Sequence, residues 1–500
     1  MSDTRGLLDR ISAFRQRLEA TPQLVPDAFP VDSNDAPATV SEPEAFRLSL
    51  RSLAGPQEVD EGPVPPQFTA RAHRLLQAAK ALLDRQKAFT ADPLFAAMTS
   101  DSSSTDPLIP YHRETVAVMD SAVRLAQVFP DSPSVQLKLC DGLDGVLEIV
   151  KERLTVQERA LAARRNDFGR IDRLAAVFAA MSQMRAVNLN PIASLAEEIL
   201  EDARQTRPIR FLHADPTSTR SHPGGVALPA PARFIAAHAI TVAQVVARIV
   251  QHDYEWATRP LPAVAAALLM DCGMVRVPAE VLAKTGPLTP DERRLIESHP
   301  QHSAELVVRY VAEASPLADA IATHHERADG TGYPIGLKGN VLPSLGRLLA
   351  VADVYAALCC PRPNRTASRS ETANAAERGA GRDQPNDTRA ALTEVLLMAE
   401  HGRLDADMAE YLVNLSFYPV GSVVELTDGR IGTVAANHPN RMDPRSPGRP
   451  VVAILADADG TLLPRPEHLD LAASDRGGIV RTVPPDRRRE VLGGRYPELV

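Results

Sequence analysis

The sequence predicts a mainly α fold: a helical bundle, preceded by an α-helical N-terminal region and followed by a small antiparallel β domain. Three observations predict it. Apolar residues recur at helical spacing over much of residues 69–416, the period changes to two after Tyr418, and Pro-rich stretches separate the blocks. The chain has 500 residues, and at roughly 100–200 residues per domain it holds two to four domains. Its composition, 44% hydrophobic and 24% charged, excludes a fibrous, collagen-like or wholly disordered chain.

In chain order, residues 1–68 read as a flexible N-terminal segment: a short amphipathic helix, then an acidic linker rich in Pro, Asp, Glu and Ser. Residues 69–205 form a helical region of unknown role. Its first stripe is Leu75, Leu76, Ala79, Leu82 and Leu83, and further helices lie near 111–129, 134–164, 168–184 and 192–205. The charged stretch around Lys151–Arg165 is a candidate for pairing with a second copy or a signalling partner, although a solvated helix face is the simpler reading. Residues 206–232 are a linker. A second helical region spans 233–416, with a polar insertion at 363–388. Strand, Asp428–Gly429 turn and strand, repeated around Asp459–Gly460, make a small β domain at 417–483, and 484–500 is a loosely held tail.

Composition also narrows the partners. A net charge of −8 disfavours a duplex-DNA surface, and 4% aromatics with a single Trp (Trp256) disfavour a stacking platform for single strands. A small anionic ligand in a local pocket stays allowed. The N-terminus has no apolar h-region, and runs such as Ala263–Met270 and Val451–Ala456 are far short of the ~20 residues of a membrane span. The four cysteines, Cys140, Cys272, Cys359 and Cys360, form no CxxC, which suits a reducing cytoplasm. The expectation is therefore a cytoplasmic protein that binds neither DNA nor membrane.

Chemistry concentrates in the second helical region, where six of the 13 histidines lie between His238 and His325. His238 shares a helix face with Phe234, Val242, Val245 and Ile249, and by itself reads as a core histidine. Asp271 follows an apolar run directly. A carboxylate there needs a partner: an Arg, a metal, or the backbone amides of a helix end. Thr289, Pro290 and Glu292 spell a capped helix start. Leu295, Ile296, Leu306 and Val307 then point inward, and His299 points with them, while His302 reads as nearer the surface. His324 and His325 close a helix. Adjacent residues diverge by about 100°, so one site takes both only if it is large or the helix unwinds. Glu326 and Asp329 precede the loop Gly330–Thr331–Gly332–Tyr333–Pro334, and Asp353 sits inside another apolar stripe. Together, inward imidazoles and carboxylates on successive helices suit iron, manganese, zinc or nickel. A pair of ions about 3.5–4 Å apart is the usual device for displacement at phosphorus.

These residues resemble the HD-GYP phosphodiesterases, a branch of the HD metal-dependent phosphohydrolases. The likeness spans about 233–416. It rests on HHERADGTGYPIGLKG followed by LP (His324–Pro343), on VPAEVLAKTGPLTPDE (Val277–Glu292) with SHP after it, and on VADVYAAL (Val351–Leu358). YPVGSVVEL resembles the start of the family's small C-terminal extension. The resemblance implies an HD-type helical bundle around two, sometimes three, divalent ions, with iron or manganese expected here. It implies hydrolysis of the bacterial second messenger cyclic di-GMP to pGpG or GMP. Carried over residue by residue, His238, Asp271 and Asp353 hold the first metal, and His299, His324 and His325 the second. Asp271 is the catalytic bridging carboxylate. Gly332, Tyr333 and Pro334 shape the substrate cleft, and Arg362 and Arg365 hold the substrate phosphates.

Two departures weaken the pattern. Met270 replaces the His of the His-Asp pair, and Met274 replaces a Lys three residues after the Asp. A thioether is a poor ligand for a hard ion, and the lost charge no longer stabilises a developing phosphate anion. Phe234 stands where family members with a third ion carry Glu, so two ions are expected. The implied function is thus a phosphodiesterase of reduced activity. One rival is a degenerate domain that binds cyclic di-GMP or a signalling partner without turnover. The other is a scaffold with vestigial histidines.

Overall fold

A computed structural model describes residues 66–100, 106–126, 133–220, 225–251, 253, 255–360, 388–414, 418–436, 449–473, 478–493, 495–496 and 499. The N-terminal segment expected before residue 66 lies outside the described residues, as does the polar insertion apart from Thr388. The described residues fall into two compact units. One runs to Ala163 and includes Gly460–Pro464 and the residues from Pro484 on; the other comprises Arg164–Asp459 and Arg465–Val483.

The first unit contains α1 (Pro66–Thr90), α2 (Pro93–Ser100), α3 (Leu108–Ala126) and the start of α4 (Pro133–Ser182). Leu75, Ala79 and Leu82 of α1 pack with Met119 of α3 and with Leu143, Leu147, Val150 and Leu154 of α4. Leu76, expected on this seam, is 42% exposed: one residue on from Leu75, it is rotated about 100° away. The expected break near 165–167 does not occur, and α4 is one helix of 50 residues. Neither Pro nor a glycine pair interrupts it there, and Asp167 is held by Arg210 (2.5 Å) instead of capping a new helix.

The second unit is the helical bundle. It contains α5 (Asn190–Arg204), α6 (Ala232–Ile249), α7 (Pro260–Leu269), α8 (Ala279–Leu282), α9 (Pro290–Glu297), α10 (His299–Tyr310), α11 (Ala318–Thr323), α12 (Ser344–Cys359), α13 (Thr388–Glu400) and α14 (Ala406–Asn414). Its axis is α6. The sequence suggests one apolar face for this helix, yet it is buried all round; its half-buried residues are Phe234 and His238. Small residues (Ala236, Ala239, Ala243, Ala247) let neighbours close in on it. α5, read from sequence as part of the N-terminal region, sends Ile192, Leu195 and Ile199 into the same core. Residues 206–232, read as a linker, include a strap laid on α6. The Arg210 N–H donates to Gln244 Oε1 (3.0 Å), Gln244 Nε2 donates to Arg210 O (3.0 Å), and the Leu212 N–H donates to Thr241 Oγ1 (3.0 Å).

α6 is the one described helix long and apolar enough to cross a membrane, and 89% of it is buried inside the protein.

The C-terminal strands are β1 (Val423–Leu426), β2 (Ile431–Ala436), β3 (Val451–Ala456), β4 (Leu462–Asp470) and β5 (Ile479–Thr482), in sheet order β4-β3-β2-β1-β5. β1 pairs antiparallel with β2 (Val424 opposite Gly432) and with β5 (Val424 opposite Thr482). Both Asp-Gly turns fall where the period-two pattern puts them. The segment expected as a loose tail instead folds as α15 (Pro485–Leu492), with Val491 and Leu492 buried.

Candidate metal centre

Five chain segments bring the ionisable side chains together: α6 carries His238, the end of α7 Asp271, α10 His299, the end of α11 His324 and His325, and α12 Asp353. α7 ends at Leu269 with Met270 as its C-cap, and Asp271 is the N-cap of a 3₁₀ turn, Cys272–Arg276. The Asp271 side chain caps no backbone amide, so the helix-end reading of this carboxylate does not apply. Gly273 follows in that turn. A Cβ there would lie 2.5 Å from His299 O and from Ser303 N, so only glycine lets the turn approach α10 closely enough for Asp271 to meet His299. The capping box is present: the Glu292 N–H donates to Thr289 Oγ1 (3.3 Å) and the Thr289 N–H to Glu292 Oε2 (2.7 Å). α9 stops at Glu297, so His299 stands at the first position of a new helix rather than one turn along an old one. α11 ends at Thr323. The unwinding that follows lets His324 and His325, which a continuous helix would splay apart, serve one site.

Asp271 Oδ1 lies 3.0 Å from His299 Nε2 and 3.5 Å from His324 Nε2, and the two Nε2 atoms are 3.3 Å apart. His325 completes this group. A second group, sharing Asp271, contains His238 and Asp353: His238 Nε2 lies 2.8 Å from Asp353 Oδ1 and 3.8 Å from Asp271 Oδ2. Asp353 Oδ2 is 3.8 Å from His325 Nδ1. Asp271, His299, His324 and Asp353 are buried, while His238 and His325 are half-buried.

The tautomers make this cluster unusual. His299 Nδ1 is 2.7 Å from Ile296 O and His324 Nδ1 is 2.6 Å from Ile321 O. A carbonyl only accepts, so each Nδ1 carries the proton and donates it. With Nδ1 committed in this way, each ring turns its Nε2 towards the other and towards a carboxylate, and in the neutral form that nitrogen offers a lone pair. Three acceptors converging in a buried space repel unless a cation or a shared proton lies among them. Ligand atoms about 2.0–2.2 Å from a common ion stand roughly 3–3.5 Å apart in tetrahedral or cis-octahedral geometry, and the three separations here match. Imidazoles anchored through Nδ1 to backbone carbonyls are the usual outer support of a metal-binding histidine. The donor set, nitrogen and oxygen without thiolate, fits divalent cations. Cys272 does not compete, because burial pushes its thiol up to about 12.

Charge follows the same geometry. Burial works against the Asp271 anion, but the bonds from His299 and His324 overcome it and hold the carboxyl well below its usual range. Burial likewise opposes the charge on His324, and Asp271 reverses it, so His324 holds a proton more readily than a free imidazole. Burial and the neighbouring His324 drive His325 the other way, to a neutral ring.

The loop after His325 rests on a residue that the sequence reading named but gave no role. Glu326 is 2% exposed and accepts backbone N–H bonds from Ile335 (2.8 Å), Gly336 (3.0 and 3.1 Å) and Leu337 (3.0 Å). A carboxylate next to a charged cluster, followed nine to eleven residues later by a Gly-containing turn, was the available signal. Gly332 is required sterically, because a Cβ would lie 2.3 Å from Arg327 N. Tyr333 stacks on His325, with centroids 4.6 Å apart and rings inclined by 25°.

The structure thus brings together all six expected ligands and sets Gly332, Tyr333 and Pro334 beside them. Arg362 and Arg365 lie outside the described residues. His302 is half-buried, 3.4 Å from Ser298 Oγ, and joins neither ligand group. Met270 is fully buried in the apolar core, and Met274 is half-buried against it.

Residues 230–382 match the HD domain family, and residues 423–490 match a KOW domain associated with HD domains. The chain is similar to a cyclic di-GMP phosphodiesterase of Pseudomonas aeruginosa, 35% identical over 175 residues (35% of this chain, 37% of that protein). It is similar to a cyclic di-GMP phosphodiesterase of Vibrio cholerae, 42% identical over 115 residues (22% of this chain, 23% of that protein). A 3'3'-cGAMP-specific phosphodiesterase of the same organism is 39% identical over 98 residues (19% of each chain). The chain spans well under half the length of these curated relatives.

Proposed function

From the premise that residues 230–382 carry an HD domain related to the HD-GYP phosphodiesterases, we propose that this chain is a metal-dependent phosphodiesterase of cyclic di-GMP, yielding pGpG or GMP. The observation that carries this reading is the convergence of His299 Nε2, His324 Nε2 and Asp271 Oδ1 with both Nδ1 protons already committed to carbonyls. Two ions, iron or manganese, fit the two ligand groups. His238, Asp271 and Asp353 would hold one, and Asp271, His299, His324 and His325 the other. Ions bound there supply Lewis acidity towards a phosphoryl oxygen and an activated nucleophile at neutral pH.

The chain's own residues do the rest. Asp271 ties the two groups together and brings negative charge to the centre. The Nδ1–H bonds of His299 and His324 fix ring orientation, and Glu326 fixes the loop that carries Tyr333 over His325. The apolar Met270 removes one donor from the first group, which supports reduced activity. Dimerisation or partner binding through the N-terminal helices, and a cytoplasmic location, belong to the same proposal.

The test is full-length protein loaded anaerobically with Fe(II) or Mn(II) and incubated separately with cyclic di-GMP and 3'3'-cGAMP. Turnover of the first above an Asp271→Ala control is expected. Preference for the second would revise the substrate. Calorimetric binding of either without product would replace the enzyme by a binding module.

A further inference from the structure

We infer that Ser303 is a positioning residue that keeps Asp271 free to hold a metal ion: its hydroxyl takes the backbone amide that the Asp271 carboxylate would otherwise cap. This rests on the reading of Asp271 as a ligand in the proposed function, and deepens it. Asp271 is the N-cap of the turn Cys272–Arg276. An aspartate there ordinarily accepts from the N–H of the second or third residue of the helix it starts. Both of those amides are engaged elsewhere. The Met274 N–H donates to Asp271 O (2.9 Å), and the Gly273 N–H donates to Ser303 Oγ on α10 (2.8 Å). The Asp271 side chain turns instead to His299 Nε2 (3.0 Å).

Ser303 is placed for this by the helix that also carries a ligand. It stands four residues after His299, one turn along the same face of α10, and is fully buried. The Cys272 thiol reaches Ser303 O (3.7 Å), and a Cβ on Gly273 would lie 2.8 Å from Ser303 Oγ, so the turn is seated directly on this residue. Further out, Arg276 meets Glu305 Oε2 (3.2 Å), but those side chains are 40% and 61% exposed and water competes with the pair. The buried pair is the stronger tie. Gly273 is buried, and a buried N–H without an acceptor is costly. Without the Ser303 hydroxyl, the Asp271 carboxylate is in N-cap position to accept that N–H in its place. Such a bond draws the carboxylate off His299 and away from both ligand groups, which share it. Ser303 therefore acts through Asp271 and touches no ion itself.

The experiment measures Mn(II) affinity of the full-length chain from the paramagnetic resonance of the free ion, with urea unfolding of the metal-free protein beside it. Ser303→Ala is expected to weaken Mn(II) binding roughly ten- to a hundredfold, the usual cost of losing an outer support of a ligand. Its metal-free urea midpoint is expected to stay close to wild type, because Asp271 takes over the Gly273 amide. A merely structural serine gives the reverse, a lowered midpoint with wild-type affinity in the folded chain, and that result overturns the inference. So does a Ser303→Ala chain that does not fold, since no carboxylate has then replaced the hydroxyl. Ser303→Thr keeps the acceptor and is expected to bind Mn(II) within a few-fold of wild type; a loss as large as that of Ser303→Ala overturns the inference too. Arg276→Gln, at the exposed pair, is expected to change affinity by less than about twofold, and a loss there equal to that of Ser303→Ala would show that any loosening of the turn suffices and would overturn the role given to the hydroxyl. A wild-type chain that binds neither Mn(II) nor Fe(II) overturns the inference together with the proposed function. Wild-type Mn(II) binding without turnover of a cyclic dinucleotide sinks the enzymatic reading and leaves the Ser303 result standing.

Discussion

Two buried carboxylates, Glu326 and Asp271, lie in neighbouring segments of one bundle and are satisfied in opposite ways. Glu326 accepts four contacts from three backbone N–H groups of a single turn, so its oxygens are satisfied by the fold alone. Asp271 caps no amide. It faces imidazole nitrogens whose partner atoms have already given their protons to carbonyls. The first arrangement is complete as the protein stands, and the second wants a cation. Burial of a charge marks neither structure nor function by itself; what distinguishes them is whether the surrounding groups donate or accept.

The sharpest way to break this comparison is to remove each carboxylate in turn. Asp271→Ala should cut turnover by more than the roughly 10–100-fold that loss of an outer-shell partner costs, and bound metal should fall with it. Intact metal binding in that variant would show that Asp271 is no ligand. Glu326→Ala should instead cost about 3 kcal/mol of stability, read from the urea midpoint, because three loop amides lose their acceptor. It should leave metal content largely intact.

The pH dependence sharpens the contrast further. His324 has a raised proton affinity in the metal-free fold. That proton stabilises the fold below the ordinary histidine value of about 6.5 and stops doing so as pH rises through the raised value. An ion requires the proton gone, whereas the neutral His325 has none to release. The gain in melting temperature on adding Mn(II) should therefore grow between pH 5.5 and 8 by a few degrees, and parallel curves with and without metal would refute the assignment. The smallest effect concerns Met270. Met270→Leu should change stability by less than about 1.5 kcal/mol and leave metal content unchanged, since its thioether packs in the core and donates nothing.

Much of the site was legible because burying charge is expensive. Asp271 and Asp353 in apolar runs, and histidines on inward faces, announced themselves without any structure. Glu326 did not, because its partners are backbone amides nine to eleven residues on, and amides are the same in every sequence. Helix ends were less readable than helix faces. α4 runs through the expected break because Arg210, 43 residues away, holds Asp167, and α15 forms in a segment whose Pro and Arg content suggested a tail.

Periodicity and composition by themselves determined the helical bundle and the terminal strands with their Asp-Gly turns, and marked Asp271, Asp353 and the inward histidines as costly to bury, because these follow from local spacing and from the cost of desolvating charge. Only the tertiary structure decided that His299 opens a new helix, that Gly273 lets Asp271 reach it, and which nitrogen of each ring is turned inward. Those outcomes depend on contacts between segments distant in sequence, where close packing admits one arrangement and residue order alone does not name it.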